Sequence, residues 1–256
     1  MKRHTWLLGY VVIPLCLIAC WWIISSRHES LYFPSLQKIF AATIEDWKLP
    51  AIRKHLLPSV TRLCVGFAIG IAAGVTLGIL MGYFDRLRNL LLPITEFMRA
   101  LPSVALLPLA FLIIGPGAGM EIALIAISST WPILVATCDG ARGTDPVMLQ
   151  SARAYGLNRS QMLRRVILPA AVPSILSGVQ VAIQFAVALM LLSNFVGSDR
   201  GLGYFVLDAQ SRFDVDSTWG GILVIAVVGF VAVLPLQLAQ HVLLRWHRGW
   251  RQAANN

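Results

Sequence analysis

VTRLCVGFAIGIAAGVTLGILMGYF, residues 60–84, carries one charged side chain, Arg62. A transmembrane helix needs about 20 predominantly apolar residues to cross the hydrocarbon core of a bilayer, and this stretch satisfies that length. Its glycines fall four apart, at Gly66, Gly70, Gly74, Gly78 and Gly82. On a helix they share one face, a ridge where a second helix backbone can come close. The segment reads as a membrane span shaped for a tight crossing; the ridge speaks of packing rather than chemistry.

Five further stretches are candidates for the same role, at about 6–24, 90–114, 120–138, 173–196 and 219–244. The chain is 57% hydrophobic and 13% charged, about half the charged content of a soluble domain. The expected fold is therefore all-α and polytopic, with about six transmembrane helices and both termini on one side. Two spans carry interruptions. Residues 90–114 contain Pro93, Glu96, Arg99, Pro102 and Pro108, and 120–138 begin at Glu121 and contain Trp131-Pro132. Both are read as kinked helices, because neighbouring helices can satisfy backbone groups that proline frees.

Lys and Arg gather on the cytoplasmic side of membrane proteins. With the N-terminus inside, the inner segments hold twelve basic residues, Lys2, Arg3, Arg86, Arg88, Arg142, Arg153, Arg159, Arg164, Arg165, Arg245, Arg248 and Arg251, against three acidic ones. The outer segments balance at seven and seven. The whole formal charge of +9 is then cytoplasmic, which argues against a nucleic-acid binder, whose basic residues would cluster on a soluble domain. Lys2 and Arg3 before an apolar run, with LIAC at 17–20, resemble a secretory leader. The apolar run continues through Ile24, so the segment is read as a span. Cys16, Cys20, Cys64 and Cys138 all fall within spans and are expected to pack as small apolar groups, with no disulfide framework and no metal site.

Between the fourth and fifth spans lies a basic loop at about 144–172. Thr144 or Asp145 is placed to cap a first short helix, with Pro146 at its first position and Gly156 as the left-handed residue that ends it. Asn158 and Gln161 have the spacing of a capping box for a second helix. That helix puts Met162, Leu163, Val166 and Ile167 on one face and Arg164-Arg165 on another, before Pro169 and Pro173 limit it.

Gln150-Ser151-Ala152, Gly156 and Val166-Ile167-Leu168-Pro169 keep the spacing of the EAA loop of bacterial ABC importer permeases, with Gln150, Ser151 and Val166 replacing the usual Glu, Ala and Ile. EFMRALPSVALLPLAFLIIGPGAG (96–119) and GSDRGLGY (197–204) are similar to the nitrate, sulfonate and taurine group, which also includes permeases for thiamine precursors and pyrimidines. The resemblance covers about 60–245. It implies a homodimer, two cytoplasmic ATPase subunits bound at the loop, and an external solute-binding protein. The loop residues Gln150, Ser151, Ala152, Tyr155, Gly156, Met162, Leu163, Arg164, Arg165, Val166, Leu168 and Pro169 would couple to the ATPase, with the apolar face filling a groove there. The chain has no GxxxxGK[ST] phosphate loop, so it is not expected to be an enzyme, and ATP with Mg would be bound by the partner. The domains expected are 1–55, the first span and an external segment; 56–245, the permease domain; and 246–256, a cytoplasmic tail.

Polar groups inside a span face a cavity or another helix. Gln180, Gln184, Ser193 and Asn194 on the fifth span are therefore candidates for the solute pathway, with interhelical hydrogen bonding an equal explanation for the two glutamines. In related permeases a Glu commonly precedes the outer GLGY element, where this chain has Asn194; a role for that charge would be lost or moved. Glu96 and Arg99 are expected to pair on one helix, and Arg62 to snorkel to the outer interface. Two other classes remain: a secondary transporter or channel working without ATPases, and a CDP-alcohol phosphotransferase, hinted at by DGAR (139–142) but lacking the spaced aspartates that chemistry needs.

Overall fold

The computed structural model describes residues 2–27 and 32–243. Arg245, Arg248, Arg251 and the tail 246–256 lie outside the described residues, as do the side chains of Lys2 and Arg3.

Every regular element among the described residues is helical. They are α1 (Lys2–Arg27), α2 (Leu36–Asp46), α3 (Leu49–Tyr83), α4 (Asp85–Ala100), α5 (Ser103–Ile114), α6 (Ala118–Arg142), α7 (Pro146–Ala154), α8 (Arg159–Val196), α9 (Leu202–Ser211) and α10 (Val215–Leu243). Four of them, α3, α6, α8 and α10, are long and apolar enough to cross a membrane, and α4 with α5 makes a fifth if the bent pair is one span. α1 has 26 residues, about 39 Å of helix.

The helix α6 is the centre of the bundle. Met120, Leu124, Ile125, Ile133 and Leu134 on it are all fully buried. The glycine ridge of α3 lies against one side: a Cβ added at Gly70 would stand 2.7 Å from the Ser129 Cβ, at Gly74 2.8 Å from that of Ile133, and at Gly78 2.6 Å from that of Thr137. Gly66 and Gly82 meet Ile125 and Ala141 in the same way. The adjoining side meets α8, where a Cβ at Gly178 would lie 2.7 Å from that of Ala136. Small residues thus bring three backbones together where lipid supplies no hydrophobic drive between helices.

Several expectations are corrected. The third span is not a kinked helix but two helices bent by 87°. Leu101 (φ −73°, ψ 125°) and Pro102 (φ −59°, ψ 120°) are extended, because proline drives the residue before it out of the helical region. Pro93 is accommodated inside α4, and Pro108 falls in the first turn of its helical segment. Pro132 leaves α6 unbroken. Pro169 and Pro173 do not end the second loop helix, which continues into the fifth span as α8. A π-turn, Leu163–Ile167, precedes Pro169, and a similar one, Ile52–Leu56, precedes Pro58. Widening the turn relieves the clash between the proline ring and the carbonyl four residues back. Of the cysteines only Cys138 is buried; Cys16, Cys20 and Cys64 are exposed on the bundle surface.

Candidate functional site

The loop between α6 and α8 is held by local hydrogen bonds. Val147 N–H donates to the Asp145 carboxylate at 2.8 Å, while the Thr144 hydroxyl donates to the Ala141 carbonyl at 2.9 Å, so Asp145 is the cap of α7. At the other end Gly156 has φ +74°. There Leu157 N–H donates to the Ala152 carbonyl at 3.1 Å and Gly156 N–H to that of Arg153 at 2.9 Å, the closing bonds of a left-handed helix end. Asn158 and Gln161 form the reciprocal capping box, both bonds at 2.9 Å.

The apolar face of the second helix points the other way from the expected one. Met162 and Ile167 are buried, and Leu163 and Val166 half-buried, against Ile79, Ala141, Ala152 and Ala171 of the same chain. Because α8 continues straight into a span, its apolar face continues the one that packs in the bundle. What the loop exposes is Val147, Met148 and Tyr155, the last 85% exposed, together with Gln150, Ser151, Gly156, Arg164, Arg165 and Leu168; Pro169 is half-buried. Val147 and Met148 were missed. Their signal is that they sit out of phase with Leu149 and Ala152, which face inward.

At the far end of the bundle is a buried polar cluster. Glu121, in the first turn of α6, is fully buried; its Oε1 accepts from Arg62 Nη1 at 2.5 Å and its Oε2 from Asn194 Nδ2 at 3.0 Å. Arg62 therefore does not snorkel. Its carboxylate partner is in the bundle, and it also donates to the Ser198 hydroxyl at 3.2 Å. Ser59 Oγ donates to Asn194 Oδ1 at 3.4 Å and accepts from Leu202 N–H at 2.9 Å. His55 Nδ1 lies 3.2 Å from the Gly201 carbonyl, with its ring stacked on Tyr204. Gly201 has φ +115°, and a Cβ there would collide with the Asn194 side chain. The cluster joins α3, α6, α8 and the corner before α9. Beside Asn194, the negative charge comes from Glu121 on another helix. The sequence signal was two lone opposite charges in apolar spans, which the cost of burial drives together.

The remaining pathway candidates separate. Gln240 Nε2 donates to Gln180 Oε1 at 2.8 Å, an α8–α10 bond. Ser193 is buried and donates to the Met190 carbonyl at 3.2 Å in its own helix. Gln184 is exposed. Beside it, Val181 and Phe185 border a cavity of about 630 Å³ at the break between α4 and α5, which Arg99, Ser103, Ser128 and Asp139 also line. Arg99 pairs with Glu96 at 3.2 Å, as their spacing suggested. Among the described residues no group of three His, Cys, Asp or Glu side chains is placed to hold a metal ion.

This arrangement is similar to that of a subunit of the inward-facing MetNI methionine ABC transporter, with a TM-score of 0.64 at 18% identity over 76% of this chain and 96% of that one. The putative aliphatic sulfonates transport permease of Bacillus subtilis (strain 168) is 30% identical over 97% of this chain and 91% of its own length. The taurine transport system permease of Escherichia coli (strain K12) is 29% identical over 90% and 86%, and the formylaminopyrimidine transport permease of Halalkalibacterium halodurans 26% over 97% and 99%. Residues 70–249 match the family described as binding-protein-dependent transport system inner membrane component, and the chain belongs to that family.

Proposed function

We propose that two copies of this chain form the translocation pathway of an ATP-driven importer for small organic sulfonates, with two cytoplasmic ABC ATPases and an external solute-binding protein as partners. The family supports the importer and its partner classes in general; the sulfonate class follows the relatives above. In this reading there are six spans, α4 and α5 counting as one, with both termini and the loop cytoplasmic. The permease domain is 56–245, preceded by the first span with its external segment and followed by a cytoplasmic tail. ATP and Mg belong to the partner.

The observation that carries the mechanism is the unbroken α8. Its cap, Asn158, is a loop residue, and Asn194 lies in the buried cluster 36 residues on, about 54 Å along the helix. Val147, Met148 and Tyr155 are the apolar anchors for the ATPase, and Arg164 and Arg165 steer its approach. Displacement of the loop moves α8 as a rod and works the Glu121–Asn194 contact at the outer end as a gate. Native mass spectrometry of the detergent-solubilised complex tests the composition: two copies of this chain with two ATPases are expected, and ATP-driven uptake by a complex with one copy contradicts it.

A further inference from the structure

At the loop end of the bundle, residues of α7 and the start of α8 face the ends of α3 and α6 across a cavity of about 510 Å³. Four charged side chains line it: Asp85, Arg142, Arg153 and Arg159. Arg142 Nη1 donates to Asp85 Oδ1 at 2.6 Å, so the acid is already matched. Arg153 and Arg159 have no carboxylate partner among the described residues, which leaves the cavity with two uncompensated positive charges. Their helix positions differ. Arg153 is in the last turn of α7, where the helix dipole favours a cation. Arg159 is the first residue of α8, directly after the cap Asn158, where the dipole opposes one. A cation held against the dipole, at a cavity and beside a second unmatched arginine, is matched by a bound anion. Neither residue belongs to the Arg164–Arg165 pair, which does not line the cavity.

We propose that this cavity holds the headgroup of an anionic phospholipid of the cytoplasmic leaflet, with Arg153 and Arg159 on its phosphate. The spans α3 and α6 end at Tyr83 and Arg142, so the cavity stands at the level of the headgroups, where basic pockets between spans take such lipids. Tyr83 lines it too, a residue type suited to that level. Leu149, Leu157 and Met162 give it apolar walls, which suit the glycerol and the upper acyl chain. Those walls favour a lipid over free phosphate, and the position at the span ends favours it over an acidic segment of a cytoplasmic partner. The leaflet assignment rests on the orientation in the reading above. Because the walls come from the loop helices and from the spans, an occupied cavity ties the loop to the bundle. The lipid then takes part in coupling the ATPase to α8.

The test uses the purified complex with its ATPases in nanodiscs of phosphatidylglycerol and phosphatidylcholine in equal amounts, released for native mass spectrometry, which counts retained lipids and ATPase subunits together. Wild type should retain phosphatidylglycerol in preference to phosphatidylcholine, and millimolar inorganic phosphate should not displace it. Arg153→Gln and Arg159→Gln should each lower that retention about fivefold, and together by more. Arg159→Lys should keep most of it. Arg86→Gln, which removes an equal charge from an exposed site outside the cavity, should leave it unchanged. In phosphatidylcholine vesicles with the binding protein, added phosphatidylglycerol should raise ATP-driven ethanesulfonate uptake by wild type and not by the double variant. Equal retention of the two lipids by wild type, wild-type retention by the double variant, an equal loss in Arg86→Gln, or displacement by inorganic phosphate overturns the lipid site. So does loss of ATPase subunits from the double variant with lipid retention unchanged, which gives the two arginines to the partner. All of these leave the importer reading intact. Absence of ATP-dependent uptake by the wild-type complex in every lipid overturns the importer reading and the lipid's part in coupling, while retention still reports on the site itself.

Discussion

Asn194 near the end of α8 donates from Nδ2 to Glu121 Oε2 in the first turn of α6 at 3.0 Å, with both side chains buried. Two helices that meet through Gly140, Gly178 and their neighbours over most of their length are thus tied by polar groups at one end. The gate proposed above sits at this polar end.

Removing one partner of the Arg62–Glu121 pair leaves a buried charge unmatched, at a cost of about 3–5 kcal/mol in the general case. Glu121→Gln should therefore lower the thermal stability of the detergent-solubilised protein, by the lower part of that range because the Arg62 side chain keeps 14% exposure. Arg62→Met combined with Glu121→Leu should recover most of the stability yet fail to transport. A double variant that imports like wild type limits the cluster to a structural role.

The glycine ridge predicts a different loss. Gly74→Val places its Cβ 2.8 Å from that of Ile133 and should cost about 1–3 kcal/mol of overpacking, seen as reduced assembly. Gly119→Ala, whose nearest neighbour would be 3.7 Å away, is the control and should fold normally.

The two glutamines of α8 should part company. Gln180→Leu removes an interhelical bond worth about 0.6–2 kcal/mol and should reduce stability with modest effect on uptake. Gln184→Leu should leave assembly intact and change uptake or its solute dependence. Unchanged transport by Gln184→Leu takes that residue out of the pathway.

At Gly156 a Cβ would meet nothing within 4 Å, so Gly156→Val is strained by its φ of +74° alone, at about 1–2 kcal/mol. The consequence is mis-aiming of α8 relative to α7. Hydrolysis should uncouple from uptake while the membrane helices still insert. Arg164→Gln with Arg165→Gln should mainly slow ATPase association, more so at low salt. A dead arginine variant beside a normal Gly156→Val contradicts the role given to the turn.

The loop was legible because Asp145, Gly156, Asn158 and Gln161 act on neighbours within a few residues. The glycine ridge was legible for a similar reason: its period is a property of one helix. The break at Leu101-Pro102 was harder, since three prolines share that span and only one ends a helix. Continuity through Pro169 depends on a π-turn that the sequence does not announce. The pairing of Arg62 with Glu121 across 59 positions, and of Gln180 with Gln240 across 60, is tertiary information. So is the inward turn of Met162, which follows from α8 being one helix.

Whether ATP hydrolysed by a partner docked on the loop drives solute through this chain is tested by uptake of labelled ethanesulfonate into vesicles with and without the partner ATPases. Uptake is expected only when ATPase subunits, ATP and the solute-loaded binding protein are all present. Uptake by this chain alone, driven by an ion gradient, would contradict it.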